Sequence, residues 1–182
     1  NSYEEIVKAL DEAQKGKHYE NYQSLEGLPV HHAKRSLTTG GHYAHLKIAE
    51  GCDKNCTYCI IPKIRGRYRS VPIEELTKQA RELASQGVKE LILVAQETTR
   101  YGVDLYGEKS LHKLLDQLNE IPGIHWIRIL YCYPEEIYEE LICAIKRNSK
   151  VCHYLDMPIQ HINDTILKRM GRRTTKAELT EK

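Results

Sequence analysis

The amino-acid sequence predicts an α/β fold in which parallel strands alternate with helices. Three observations carry this expectation. From about His42, short β-type runs alternate with amphipathic helical windows, and glycine and proline punctuate the joins. The run KELILVAQ is continuously apolar in its centre, as expected for a strand buried on both faces of a parallel sheet. Polar residues gather at or just after the ends of the later strands: Gln96, Glu97, Tyr131, Gln160 and His161. Successive strand and helix pairs leave two architectures open, a doubly wound sheet or a section of a β/α barrel. Both place chemistry at the carboxyl ends of the strands.

The elements follow in order. Tyr3, Ile6, Val7 and Leu10 stand at helical spacing, and the polar stretch DEAQKGKHYENYQSLEG after them has little periodicity, which predicts a terminal helix and a linker. HYAHLKIAEG is the first strand and ends at Gly51. Pro72 suits a first helical position, Glu74 and Glu75 suit the first turn, and Ile73, Leu76, Ala80, Leu83 and Ala84 form one apolar face before Gly87. After the second strand, KELILVAQ, Ser110 can cap a helix that buries Leu111, Leu114, Leu115, Leu118 and Ile121, until Pro122 and Gly123 stop it. HWIRILY is the third strand. Past Pro134 a helix carries Ile137, Leu141, Ile142 and Ile145, VCHYLDMPIQ is the fourth strand, and Asn163 caps a helix with Ile166, Leu167 and Met170 inward. TTKAELTEK begins one more helical window.

Composition excludes several classes. A length of 182 residues allows one domain, or one domain with part of a neighbour. With 41% hydrophobic and 29% charged residues the chain is neither collagen-like nor disordered. A net charge of +2 is too small to argue for bulk nucleic-acid binding. No apolar stretch approaches the roughly 20 residues that span a bilayer, and the opening NSYEEIVKAL is unlike a signal peptide, so the expectation is a cytoplasmic protein without a membrane partner.

The informative feature is EGCDKNCTYCIIPKIRG, which sets Cys52, Cys56 and Cys59 in a C-x3-C-x2-C spacing on a loop. Soft thiolates select zinc, copper or iron-sulfur clusters. A closed zinc site needs a fourth ligand and the sequence has no second CxxC; His153 or His161 would have to supply it in a non-catalytic zinc protein. Three thiolates on one loop can instead hold three irons of a 4Fe-4S cubane and leave the fourth iron open to a chelating ligand.

On these residues the chain resembles the radical S-adenosylmethionine (SAM) superfamily, which carries CxxxCxxC after the first strand of a partial β/α barrel. The strings CxxxCxYCIIPxIRGxxRS, QETTRYGVDLYG, WIRILYCYP and YLDMPIQH, in that order over residues 40 to 175, resemble the methylthiotransferases. Among these they are most similar to the RimO type, which modifies an aspartate of a small-subunit ribosomal protein. The tRNA-modifying MiaB type is the alternative, but it usually has Ser-His-Pro where this chain has Cys132, Tyr133 and Pro134, and Gln-Ser where it has Gln160 and His161. Glu97 departs from the usual aspartate of the RimO branch.

The resemblance implies a partial barrel truncated to about four strand and helix pairs over residues 39–182, with residues 1–38 as the tail of an amino-terminal domain and linker. It implies a 4Fe-4S cluster on Cys52, Cys56 and Cys59 and an electron passed to SAM, which yields methionine and a 5'-deoxyadenosyl radical. It further implies that Tyr58 approaches the adenine, Gln96 binds the methionyl amino group, Arg128 pairs with the SAM carboxylate, and Gln160 and His161 face ribose or substrate. A second 4Fe-4S cluster is expected in the full-length enzyme, its ligands absent from this chain, along with an electron donor such as a flavodoxin or ferredoxin. A chain with four of the usual six pairs is expected to be an internal piece of a longer enzyme and incompetent for the whole reaction.

Other residues have plainer readings. Cys132, Cys143 and Cys152 suit small core positions. His31, His32, His42 and His45 suit a surface or linker. The runs Lys63, Arg65, Arg67, Arg69 and Lys168, Arg169, Arg172, Arg173 suit either an RNA-rich target or solvent. Tyr101 and Tyr106 contact substrate or cover the barrel, and Arg128 equally suits a pairing with a neighbouring carboxylate.

Overall fold

The computed structural model describes residues 5–27, 35–38 and 40–182; the readings of Tyr3, His31 and His32 lie outside the described residues. In chain order the strands are β1 (Tyr43–Lys47), β2 (Ala49–Glu50), β3 (Arg69–Ser70), β4 (Glu90–Val94), β5 (Trp126–Ile129) and β6 (Val151–Leu155). The helices are α1 (Ile6–Gln14), α2 (Ile61–Arg65), α3 (Ile73–Ser85), α4 (Val103–Tyr106), α5 (Leu111–Asn119), α6 (Glu139–Arg147), α7 (Asp164–Arg169) and α8 (Lys176–Glu181). None is long and apolar enough to cross a membrane among the described residues.

The sheet is β1-β4-β5-β6, parallel at every pairing, with Lys47 opposite Val94 and Ile92 opposite Arg128. Spatial order follows chain order without a reversal. A doubly wound sheet reverses at its switch point, so the four strands are a section of a β/α barrel, and they do not close.

The core lies between the sheet and its helices. Ala44, Leu46, Leu91, Leu93, Ile127 and Ile129 project from the strands onto Leu76, Ala80 and Leu83 of α3, the four leucines of α5, and Leu141 and Ala144 of α6. Each such leucine contributes roughly 2 kcal/mol through burial. The alternate residues of β4, Glu90, Ile92 and Val94, are only half-buried on the inner face. The expectation that KELILVAQ is buried on both faces therefore fails, because no second layer covers that face among the described residues.

Other differences have local causes. The first strand breaks at Ile48, whose N–H donates to Val94 O in the sheet at 3.0 Å while its carbonyl accepts from Val71 N at 2.9 Å. The chain thereby leaves the sheet and pairs β2 with β3 antiparallel. Pro134 opens a single 3-10 turn, Pro134–Glu136, ahead of α6. In that helix Ile142 is exposed, and in α7 Leu167 is buried while Ile166 is exposed, because each helix buries one narrow stripe. Of the three cysteines outside the triplet only Cys132 is core; Cys143 is exposed and Cys152 half-buried. Helix α1 buries nothing, so its apolar face, Ile6, Val7 and Leu10, meets solvent in the described residues.

Candidate metal and cofactor site

The cysteine loop follows β2 and is shaped by its own backbone before any ligand is considered. Gly51 sits at φ +80, and a Cβ there would lie 2.1 Å from Arg67 O, so only glycine lets the loop cross residues 66 and 67 so closely. Cys52 N–H donates to Gly66 O at 3.2 Å, and Tyr68 N–H donates to Asp53 Oδ1 at 3.1 Å. The far side of the loop is held by the turn after α7. Thr57 N–H donates to Met170 O and Thr57 Oγ1 to Arg169 O, both at 3.0 Å. Gly171, at φ +70, approaches so near that a Cβ would lie 2.7 Å from Asn55 O.

Two cavities flank the loop. The first, about 400 Å³, opens at the carboxyl ends of β1 and β4 and is lined by Cys52, Tyr58, Cys59, Ile61, Val94, Ala95, Gln96, Tyr131, Tyr133, Pro158, Gln160 and Lys47. Gln96 Oε1 accepts from Gly51 N–H at 2.7 Å, tying the end of β4 to the loop. Tyr131 and Gln160 hold left-handed backbone, φ +59 and +65, a conformation costing of order 1–3 kcal/mol in a residue with a side chain. Both line this cavity, where such strain aims side chains that regular backbone would not.

The second cavity, about 380 Å³, is lined by Asp53, Lys54, Asn55, Cys56, Arg100, Tyr133, Glu135, Glu136, Gly171, Arg172 and Arg173. Lys54 pairs with Glu136, which also holds Lys109 at 2.9 Å, and lies 3.7 Å from Glu97. Glu97 is fully buried with no hydrogen-bond partner on either oxygen, and burial pushes its carboxyl up to about 7 against the opposing pull of Lys54. Arg172, read in sequence as part of an exposed basic run, is instead buried: it stacks on the Tyr133 ring at 4.3 Å and donates to Pro158 O at 3.0 Å. Burial also pushes the Tyr133 phenol well above its ordinary range, with the Cys56 thiol adding and Arg172 opposing.

The Cys52 sulfur feels the other two thiols of the triplet. Burial pushes the Cys52 thiol up, Lys54 N–H at 3.4 Å opposes this, and the Glu97, Cys56 and Cys59 charges add to it. Among the described residues no three His, Cys, Asp or Glu side chains already surround a metal-sized point. Neither His153 nor His161 lines either cavity, so neither stands as a fourth ligand beside the triplet.

A family model described as the radical SAM superfamily matches residues 46–181. The chain belongs to the radical SAM superfamily. Solved structures agree on the fold. A radical SAM methyltransferase, TsrM from Kitasatospora setae, solved with tryptophan and a SAM analogue, superposes with a TM-score of 0.60 at 17% identity, covering 78% of this chain and 27% of that one. The cobalamin-dependent radical SAM enzyme OxsB gives 0.57 at 18% identity over 74% of this chain and 21% of its own. Sequence relatives are much nearer. A protein named ribosomal protein uS12 methylthiotransferase RimO in Lachnoclostridium phytofermentans is 60% identical over 98% of this chain, and its namesake in Clostridium tetani is 52% identical over all of it. The chain spans about 40% of the length of these relatives.

The donor set fits the superfamily's cluster and SAM. One short loop carries three thiols, a soft donor set suited to an iron-sulfur cluster, neither His153 nor His161 stands beside them, and the cavity next to Cys52 and Cys59 is within the roughly 300–1,000 Å³ that small-molecule ligands occupy. Of the residues singled out in sequence, Cys52, Cys59, Tyr58, Gln96 and Gln160 share this cavity, and Cys56 lies on the other side of the loop. Arg128 is not among the lining residues; its Nε donates to Glu90 Oε1 at 2.7 Å and its guanidinium lies over Tyr154. His161 is exposed, and its Nδ1 accepts from Asn163 N–H at 2.9 Å. Tyr101 and Tyr106 brace the scaffold: Tyr101 Oη donates to Val71 O at 2.6 Å, and Tyr106 Oη accepts from Ile73 N–H at 3.1 Å. Sequence reading missed Lys54, Glu136 and Arg172 as partners around the loop, and no local signal marks them.

Proposed function

We propose that this chain is the radical-generating domain of a methylthiotransferase that places a methylthio group on the β-carbon of an aspartate in small-subunit ribosomal protein uS12. The observation that carries this reading is the 52–60% identity over nearly the whole chain to proteins named for that activity. In this reading Cys52, Cys56 and Cys59 hold three irons of a 4Fe-4S cluster as thiolates, since a metal-bound thiol is deprotonated outright. When bound, the cluster and SAM supply a carbon-centred radical able to take hydrogen from an unactivated C–H bond.

The protein's own residues bind, orient and exclude water. Gln96 Oε1 already accepts from Gly51 N–H and keeps a second lone pair for the ammonium of a SAM-like ligand. Ile61, Val94, Ala95 and Pro158 supply apolar wall, and Tyr58, Tyr131 and Gln160 border the mouth. Such a wall keeps water from a reactive radical. Residues 1–38 are the tail of an amino-terminal domain and linker, and a second cluster belongs to the upstream part of the full-length protein. The electron comes from a flavodoxin or ferredoxin, and the setting is the cytoplasm, where ribosomes are modified.

The test is deletion of the full-length gene with parallel mass spectrometry of ribosomal proteins and tRNA nucleosides. Loss of one methylthio group from an aspartate of uS12 is the expected result. Loss from a tRNA adenosine instead would overturn the substrate and leave the chemistry; loss from neither would overturn the activity.

A further inference from the structure

Tyr133 stands between the two cavities and lines both of them. Its hydroxyl Oη lies 3.8 Å from Cys56 Sγ. The ring is gripped on its face by the Arg172 guanidinium at 4.3 Å, with the Lys54 ammonium at 5.3 Å. The grip is itself anchored: the Arg172 side chain is fully buried and reaches Pro158 O at 3.0 Å and Glu135 Oε2 at 3.4 Å. The backbone is fixed too, since Tyr133 N–H donates to Thr99 Oγ1 at 3.3 Å. A ring so held keeps its hydroxyl at the Cys56 sulfur.

We propose that Tyr133 donates a hydrogen bond to the Cys56 sulfur when that sulfur is a cluster ligand, and that this contact raises the reduction potential of the cluster. The inference rests on the reading that Cys52, Cys56 and Cys59 hold a 4Fe-4S cluster. Between a thiol and a phenol either partner can donate. A thiolate bound to iron carries no proton, so there the direction is fixed and the phenol donates. Hydrogen bonds to cluster sulfurs are one of the means by which a protein sets cluster potential, because they stabilise the more negative, reduced state. At 3.8 Å the contact is within reach of an O–H···S bond, for which sulfur's larger radius lengthens the separation. Lys54 N–H, 3.4 Å from Cys52 Sγ, makes the analogous contact from the backbone. Tyr133 is therefore a potential-setting residue on the wall between the two cavities.

The experiment compares anaerobically reconstituted wild-type protein with Tyr133→Phe, which keeps the ring under Arg172 and removes only the hydroxyl. Iron and sulfide are counted, and the midpoint potential is read by EPR-monitored titration of the signal that responds to added SAM. The expected result is unchanged iron and sulfide with a more negative midpoint. An unchanged midpoint at full iron loading would overturn the inference. Where Tyr133→Phe loads less iron, the loaded fraction is examined in D2O by electron-nuclear double resonance. Loss of one exchangeable deuteron coupling seen in wild type supports the contact, and its persistence overturns it. A wild-type protein that takes up no iron-sulfur cluster would overturn the cluster reading itself, and the inference with it.

Discussion

The cavities on either side of Tyr133 are nearly equal in size, about 400 and about 380 Å³, and opposite in chemistry. The one at the strand ends has a single charged residue, Lys47, among aromatic, aliphatic and amide side chains. The one behind the loop carries seven charged side chains, and these largely engage one another: Lys54 with Glu136, Arg100 with Asp53, Arg172 with Glu135. A cavity whose polar groups keep unused bonding capacity can take a ligand. One whose charges are already paired can hold a loop in place. On the proposed reading the first cavity binds and the second braces the loop.

The largest effects should come from the two glycines at which the loop is pinned, one on each side. Gly51→Ala puts a methyl 2.1 Å from Arg67 O in left-handed backbone, and Gly171→Ala puts one 2.7 Å from Asn55 O. Left-handed backbone costs roughly 1–2 kcal/mol and forced repacking a further 1–3. Gly51→Ala should lose about 3 kcal/mol of stability in urea unfolding, and Gly171→Ala somewhat less. Iron uptake should fall in both, since both positions set the loop. Full iron uptake in Gly171→Ala would show that the charged side is not a brace.

An effect of similar size is expected at Glu97, under the charged cavity. Its carboxyl moves from 4.5 to about 7 on folding, chiefly through burial, which corresponds to about 3 kcal/mol. The folded state holds the proton more tightly than the unfolded state, so stability falls as pH rises. The contribution is fully present below about 4.5, shrinks through the interval to about 7, and is gone above it. Glu97→Gln, which stays neutral, should flatten the dependence between pH 5 and pH 8 in thermal melts of the cluster-free protein. Equal slopes in the two proteins would mean that Lys54, 3.7 Å away, compensates the buried charge fully.

What the sequence made legible divides along the same line. The cavity at the strand ends was largely readable, because it is assembled from strand ends and one loop: the triplet spacing named Cys52 and Cys59, and position after a strand named Gln96 and Gln160. The left-handed backbone at Tyr131 and Gln160 was not readable, since neither is the glycine that announces it. The bracing cavity was almost wholly hidden. Arg172 meets Tyr133 across 39 positions and Lys54 meets Glu136 across 82, and a local pattern of charges does not distinguish a buried partner from a solvated one. That the turn at Gly171 touches the cysteine loop was not readable either. The strand break at Ile48 was masked by the apolar alternation through Ala44, Leu46 and Ile48; only the tertiary pairing with Arg69 and Ser70 turns the chain there.

The smallest effect sharpens the assignment of binding itself. Gln96 and Arg128 were both matched to SAM by sequence, but only Gln96 lines the cavity at the strand ends; Arg128 is engaged by Glu90 at 2.7 Å. A hydrogen bond to a charged ligand group contributes roughly 1.5–3 kcal/mol. Some of this is offset in Gln96→Ala by water entering the vacated space, so the expected loss in SAM affinity is about tenfold, near 1.4 kcal/mol. Arg128→Ala should leave the affinity within about twofold while lowering stability, because it strips a partner from a half-buried carboxylate. Equilibrium dialysis of SAM against the reconstituted variants makes the comparison. If Arg128→Ala weakens binding more than Gln96→Ala, the ligand reaches farther down the inner face of the sheet than the cavity beside Cys52 and Cys59, and the binding side must be redrawn to include β5.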